Sequence, residues 1–474
     1  MPGYSMNDTY DLIVIGAGPA GAEAALAAAS LGMTVVLIDE GPAPGGQVWR
    51  APRTASAKDK PADTDRARGD DLRARLAASS VDMRPRAQVW DVRQGFLVSC
   101  ISPQGACVLS APRLVLATGA TERIIPFEGW TTPGVFGLAA ATALIKSEGA
   151  LPGRDIVVAG QGPLLIAVAA KALSLGLRPR AIIDRAGYGD WARALIGFAN
   201  VPSMALQGAR WMAQIRLAGV PMHRHCEVIK SSGRDGLSGI TVRSLTTGAT
   251  TEIAADTLYI GNGLAPGDDI HRLLGLVQQP DRLRGGYKTL CDADRRSSLA
   301  GLYVAGDGAG IYGALPSAVQ GRLAGLAAAL DHGALDAARH DAEARPLRRQ
   351  LARYIRFADA SCRLMQFPVT ALDGVTEATI ICRCEDVTAG DIQQAMEDKA
   401  RDMNQLKHFT RLGMGPCQGK MCSMNAACLL RRQADLPPGD LRLTPRAPIR
   451  PIEMEQLIGT FDYADIPVPK PAPL

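Results

Sequence analysis

This sequence predicts an α/β fold: two doubly wound dinucleotide-type units followed by a small cysteine-rich unit. Three observations carry the prediction. A strand, glycine turn, helix, strand and acid follow one another at the N-terminus, the same series recurs in weaker form from Arg154, and four cysteines fall in a compact pattern between Cys382 and Cys422. At 474 residues the chain is too long for one core and implies about two to four domains.

In the first unit, Asp11 to Ile15 is a short apolar strand, and Gly16, Gly18 and Gly21 follow at once with Pro19 between them. An alanine-rich helix runs to Leu31, Gly32 ends it, and a second strand from Thr34 to Ile38 leads to Asp39 and Glu40. Each glycine has a task in a dinucleotide turn. Gly16 permits the tight bend, Gly18 lets backbone approach a pyrophosphate, and Gly21 lets helix and strand pack closely. The helix start then faces the phosphates. Asp39 is the acid for the ribose hydroxyls, with Glu40 as the next candidate. Such a glycine pattern alone is a weak signal, but here the strands, helix and acid stand in order around it.

Further segments bear on which dinucleotide is bound. Gly45, Gly46 and Gln47 follow the second strand, Arg113 to Gly119 is a strand ending in the small turn Thr118-Gly119, and Gly301 to Gly308 is a strand ending in Gly306-Asp307 before another alanine-rich helix. These segments resemble the two-dinucleotide-domain flavoproteins related to glutathione and thioredoxin reductases. The resemblance implies FAD, backbone at Gly46 and Gln47 close to the flavin, and Asp307 hydrogen-bonded to ribitol or phosphate. The plainer reading of Asp307 is a helix cap, and the two are compatible.

The second unit repeats Gly160 and Gly162 after an apolar strand and ends its next strand at Asp184, but Leu165 replaces the third glycine. A leucine there is expected to push the helix from the strand or crowd the pyrophosphate. The unit therefore either holds NAD or another adenine nucleotide, with Asp184 on the ribose, or is kept for architecture. The expected domains are FAD-binding at 8–149 and 286–340, the inserted NAD(P)-type unit at 150–285, a helical linker at 341–377, a cluster domain at 378–430 and a proline-rich extended tail at 431–474.

Cys382, Cys384, Cys417 and Cys422 give the pattern C-x-C-x32-C-x4-C. Four thiolates on two tight loops can enclose a small iron–sulfur cluster, and Gly413, Gly415 and Gly419 let amides point at the sulfurs. Structural zinc sites favour wider cysteine pairs. The segment resembles the bacterioferritin-associated ferredoxin-like domain, which implies a [2Fe–2S] cluster on these four cysteines. Cys100, Cys107, Cys226, Cys291 and Cys428 read as small core residues and Cys362 has no partner at ligand spacing, so dithiol exchange is not expected.

Net charge is +5 without a long basic run, which argues against nucleic acid as partner. No signal peptide or membrane span is read, and the cysteine usage suits a reducing cytoplasm. Residues 51–75 read as a polar excursion before a helix from about Asp70, and the arginine-rich stretch 341–363 as a solvated helix. From Leu436 onward the chain holds nine prolines, so this tail should run extended, either across another domain or subunit or in disorder. The six histidines show no catalytic spacing, and no catalytic base is identified.

The order of FAD domain, inserted unit, [2Fe–2S] domain and tail resembles the α (A) subunits of bacterial heteromeric amine dehydrogenases. These include the A subunit of opine oxidase, the B subunit of hydrogen cyanide synthase, and the dye-linked proline and hydroxyproline dehydrogenase α subunits. The resemblance implies a flavin-containing β subunit that oxidises a C–N bond, a small ferredoxin-like subunit in some assemblies, and an electron acceptor. It implies a cytoplasmic enzyme, held at the inner membrane only through a partner or acceptor. The competing readings are a stand-alone NAD(P)H-dependent FAD/iron–sulfur reductase and a non-catalytic redox scaffold.

Overall fold

The computed structural model describes residues 5–54, 57, 63–366, 371–434 and 441–458. Five parallel strands form the first sheet, in the order Leu302–Val304, Leu114–Leu116, Leu12–Ile15, Val35–Asp39 and Asp82–Pro85. Apart from the terminal Asp39 the three central strands are β-branched or leucine and buried, as a parallel sheet covered on both faces requires. On one face the helices Pro19–Ala29 and Ala314–His332 cross closely. A Cβ on Gly321 would lie 1.9 Å from the Ala20 carbonyl oxygen, and one on Gly325 would lie 2.4 Å from that of Ala24. The other face is covered by a four-stranded sheet built from Ser5–Thr9, Gly105–Ser110, Leu97–Ser102 and Gln88–Arg93.

The chain leaves this unit through Ala120–Glu122 and returns through Leu264–Pro266, which pair antiparallel, Glu122 opposite Leu264. Between them a second parallel sheet forms in the order Val135–Gly137, Thr257–Gly261, Ile156–Gly160, Ala181–Asp184 and Met222–Arg224, beside an antiparallel sheet of three strands. The expected boundaries at 150 and 285 therefore move to these crossing strands. Val135–Gly137 belongs to the second sheet but is too short and too plain in sequence to announce itself.

Leu165 does not hold its helix away. Its side chain is fully buried among Ile156, Val158 and Tyr259. The helix expected from Asp70 begins earlier, at Thr64, where Asp63 caps it by accepting from the Arg66 amide at 2.9 Å; Lys58 and Lys60 lie outside the described residues. The linker is one long helix, Ala337–Leu364, packed on Ala314–His332 and on Tyr188–Phe198.

The last domain pairs Ile380–Cys382 with Val387–Thr388 and packs the helices Ala389–Glu397, Met403–Thr410 and Ser423–Ala434 over its cysteines. Thr388 and Asp391 form the capping box of its first helix. Over 441–451 the tail is extended and spans two domains. Asn404 and Thr444 exchange two hydrogen bonds at 2.9 and 3.0 Å, and Ile449 donates its amide to the Trp90 carbonyl at 3.0 Å. Residues 459–474 lie outside the described residues. Among the described residues no helix is long and apolar enough to cross a membrane.

Candidate functional site

The first glycine turn is held by close backbone contacts. Gly16 has φ +102°, and a Cβ there would stand 2.3 Å from the Ala117 carbonyl oxygen; one on Gly21 would stand 1.7 Å from that of Gly16. Both glycines are forced by backbone contact. Gly18 differs: its Cβ position meets only Gly46 Cα, at 3.9 Å. Gly18 and Gly46 thus pack backbone against backbone, a Cβ on Gly46 falling 2.9 Å from Gly18 Cα, at the start of the helix whose first residue is Pro19. Arg73 pins the Gly46 loop from outside by donating to the carbonyls of Pro44 and Trp49, both at 2.9 Å. The Trp49 indole N–H is buried without an acceptor among the described residues, as a loop awaiting an acceptor-bearing ligand would leave it.

Asp39 is half-buried. It accepts from the Ala17 amide at 2.5 Å and the Gly41 amide at 2.7 Å, while burial pushes its carboxyl above the usual range. A carboxylate has more acceptor sites than these two bonds use. Glu40 points elsewhere, to an ion pair with Arg450 of the tail at 3.0 Å. Gln47 accepts from Arg50. Asp307 accepts from the Tyr312 and Gly313 amides at 2.7 and 2.8 Å. It therefore closes the loop ahead of the helix, whereas the cap position itself is Gly313. Gly306, at φ +77°, donates its amide to the buried Gln320 at 2.9 Å.

Beneath these loops lies a residue that no motif flagged. His271 is fully buried, with Nδ1 2.7 Å from Thr289 Oγ1 and Nε2 3.3 Å from Thr118 Oγ1. A Cβ on Gly308 would meet its ring at 3.4 Å. Burial lowers its pKa to about 4, so the ring is neutral. Thr118 also donates to the Gly267 carbonyl at 2.5 Å, and Gly119 accepts from the Gly267 amide at 2.9 Å, tying the turn to the returning chain. Glu122 was missed as well. Its carboxyl sits at the start of the helix Leu138–Glu148 and accepts from Ala139 at 2.8 Å, yet burial raises its pKa to about 7.

The second turn is covered by a side chain where the first meets only backbone. Gly160 is held by backbone, its Cβ position 1.9 Å from the Gly261 carbonyl oxygen. A Cβ on Gly162 would fall 2.3 Å from Met365 Cγ, because the end of the long helix lies on it. Asp184 is wholly buried and accepts from Trp191 Nε1 at 2.7 Å, Arg224 at 2.9 Å and the Ala186 amide at 3.0 Å. Of the two readings of this unit, a nucleotide on Gly162 and Asp184 or a domain kept for architecture, these contacts favour the second, since Met365 lies on Gly162 and Asp184 is bonded to the protein's own donors.

In the last domain the four expected cysteines meet as two pairs. Cys382 hydrogen-bonds with Cys422, and Cys384 with Cys417. The bond from Cys422, against burial and aided by the amides of Gly413, Glu385 and Cys384, brings Cys382 to about 5. Amide N–H groups aimed at thiolate sulfur are what an anionic cluster needs. A Cβ on Gly415 would lie 2.3 Å from Cys384 Cβ, so that glycine is what lets the two loops meet. A set of four thiolates is the donor set that a [2Fe–2S] cluster uses. The thiols of Cys100 and Cys107 lie 2.6 Å apart on adjacent strands of the outer sheet, in contact with one another rather than only with the core.

The pattern of the Pyridine nucleotide-disulphide oxidoreductase family matches residues 10–333, and that of the BFD-like [2Fe-2S] binding domain matches 380–432. The A subunit of opine oxidase from Rhizobium meliloti (strain 1021) is 35% identical, with 94% of this chain and 98% of that protein covered. The chain belongs to the family of opine oxidase A subunits. This family member is also 32% identical to hydrogen cyanide synthase subunit HcnB of Pseudomonas aeruginosa, over 94% of this chain and 98% of that one. Among solved structures, L-proline dehydrogenase from P. horikoshii shares its fold with a TM-score of 0.68 at 21% identity, covering 95% of this chain and 79% of that one. The chain is a flavin-dependent oxidoreductase whose cofactors are FAD and a [2Fe–2S] cluster.

Proposed function

We propose that this chain is the α subunit of a heteromeric dehydrogenase acting on an amino acid or secondary amine of opine, proline/hydroxyproline or glycine type. Its β partner is a flavoprotein that oxidises the C–N bond. The chain relays the electrons to an acceptor, in the cytoplasm or at the inner face of the membrane, with a small ferredoxin-like subunit in the assembly. Bound FAD supplies two-electron chemistry and a [2Fe–2S] cluster one-electron chemistry, so a chain holding both joins pairwise to single-electron flow.

The chain's residues divide the work. Gly16, Gly18, Pro19 and Gly21 present a helix start to the pyrophosphate, with Gly46 and Gln47 opposite. Asp39 accepts from the ribose hydroxyls. Asp307, with Thr118, Gly119 and Gly306, shapes the loops beside the ribitol. Cys382, Cys384, Cys417 and Cys422 hold the cluster.

One observation carries the relay. Lys420, inside the cysteine loop, makes a 2.8 Å ion pair with Asp269, whose short helix, Asp269–Leu273, places His271 under the Thr118 and Gly308 loops. The two cofactor regions are therefore joined through one five-residue helix. The test is anaerobic reduction of the chain co-purified with its partner. Octopine, nopaline, proline, hydroxyproline and sarcosine are offered in turn. Bleaching of the flavin bands and a reduced-cluster EPR signal, both dependent on the partner, are expected with one of these amines. Reduction of the chain alone by NADH would overturn the reading in favour of a reductase.

A further inference from the structure

The family description names a pyridine nucleotide, yet the second dinucleotide unit does not fit one, and the comparison with the first unit shows why. The same pattern of glycines and acid occurs twice. In the first unit a Cβ on the middle glycine, Gly18, would touch only backbone, Gly46 Cα at 3.9 Å, and the acid, Asp39, keeps part of its surface in water. In the second, the built Cβ of Gly162 runs into Met365 Cγ at 2.3 Å and Sδ at 2.8 Å, and Asp184 has no exposed surface. Both ends of a would-be dinucleotide site are sealed independently. At the ribose end Asp184 receives Trp191, Arg224 and the Ala186 amide, and the Arg224 guanidinium lies over the rings of Tyr188 and Trp191, 5.1 and 5.5 Å from their centres.

We propose that this unit is not a nucleotide site but a socket, which grips Met365 and Gln366 and so seats the [2Fe–2S] domain on the flavoprotein. The grip is specific. Arg123 donates to the Met365 carbonyl at 2.5 Å and to the Asn262 carbonyl at 2.6 Å. Gln161, buried in the glycine turn itself, donates to the Gln366 carbonyl at 3.3 Å. The methionine thioether, unbranched and polarizable, fills the irregular space over a glycine well.

Downstream of this grip the cluster domain docks on the same unit. Trp130 donates to the Ile380 carbonyl at 2.6 Å, Asn425 donates to the Ile124 carbonyl at 3.0 Å, and Ile125 packs into the core around the cysteines. A nucleotide entering the Gly162 turn would have to eject the chain that leads to the cluster.

The experiment uses the full chain loaded with FAD and iron. NADH, NADPH and ATP are titrated by calorimetry, and trypsin cleavage after the exposed Arg363 is followed in wild type, Met365→Ala and Met365→Leu. No saturable heat is expected with any of the three nucleotides. Cleavage after Arg363 should quicken about tenfold in Met365→Ala, less than loss of a fully buried methionine would give because Met365 is only half-buried, and return toward wild type in Met365→Leu. Stoichiometric binding of any of the three nucleotides that Gly162→Ala abolishes would overturn the proposal, as would equal cleavage in all three proteins. Neither result bears on the amine-dehydrogenase reading, which fails or stands on partner-dependent reduction.

Discussion

Lys420 Nζ stands 2.8 Å from Asp269 Oδ2, and Asp269 also receives Arg272 at 3.1 Å and Arg450 at 3.2 Å. Burial alone would raise this carboxyl, but the three cations outweigh it and hold it below the usual carboxylate range. The cysteine loop, the FAD domain and the tail therefore share one carboxylate.

Removing Lys420 has a signed consequence. Lys420→Met deletes a positive charge between Cys417 and Cys422 and leaves Asp269 less compensated. Both changes make the surroundings of the cluster more negative, which opposes adding an electron. The midpoint potential of the [2Fe–2S] centre should fall. Redox titration followed by EPR measures it, and a potential equal to wild type would show that this ion pair does not reach the cluster.

Gly415 offers a steric test. Its φ is not positive, so an alanine is limited only by space, and that Cβ would lie 2.3 Å from Cys384 Cβ. Overpacking of this kind costs about 1–3 kcal/mol. Here the cost falls on the loop-to-loop approach that brings Cys384 to Cys417. Gly415→Ala should purify with full flavin but reduced iron and labile sulfide, and normal iron content would refute the argument.

Much of this was legible in the sequence, and the limits have physical causes. The first cradle is local: Gly16 to Asp39 forms one continuous strand–helix–strand, so spacing alone ordered its parts. The second repeats this local pattern with Leu165 in place of the third glycine, and there the local pattern left its role undecided. What closes it comes from elsewhere in the chain: Met365 from the linker helix, Arg224 from the next strand, Trp191 from the next helix. His271 carries no motif at all, since its position depends on a five-residue helix folding back under the Thr118 turn. Glu40, the second candidate for the ribose acid after Asp39, pairs with Arg450 of the tail, a partner that local spacing does not announce. The grouping of the four cysteines was readable because tight loops need glycines at fixed offsets, whereas the contact of Cys100 with Cys107 depends on hairpin register.

His271 should make the protein acid-sensitive. Its pKa falls from 6.5 to about 4 on burial, so between those values the unfolded chain binds the proton and the folded chain does not. Stability is then lost as pH falls from 6.5 toward 4, by on the order of 3 kcal/mol in total. His271→Gln cannot titrate and should flatten that loss in urea unfolding across this range. A variant whose acid slope matches wild type would assign the effect to other groups.

Glu122 works in the opposite direction over an overlapping window. Burial raises its pKa from 4.5 to about 7, so here the folded chain holds the proton while the unfolded chain has released it. Its contribution is fully present below pH 4.5 and is lost as pH climbs through 7, again by on the order of 3 kcal/mol. Between pH 4.5 and 6.5 the two titrations offset each other, and wild-type stability should be nearly level there for these two groups. Glu122→Gln removes one side of that balance. Relative to wild type it should gain stability steadily from pH 5 to 8, and its own profile should show the unopposed acid loss from His271. Parallel unfolding curves for the two proteins at pH 5 and pH 8 would mean that Glu122 is ionised throughout, held by the helix amides of Leu138, Ala139 and Ala140 more firmly than its burial opposes.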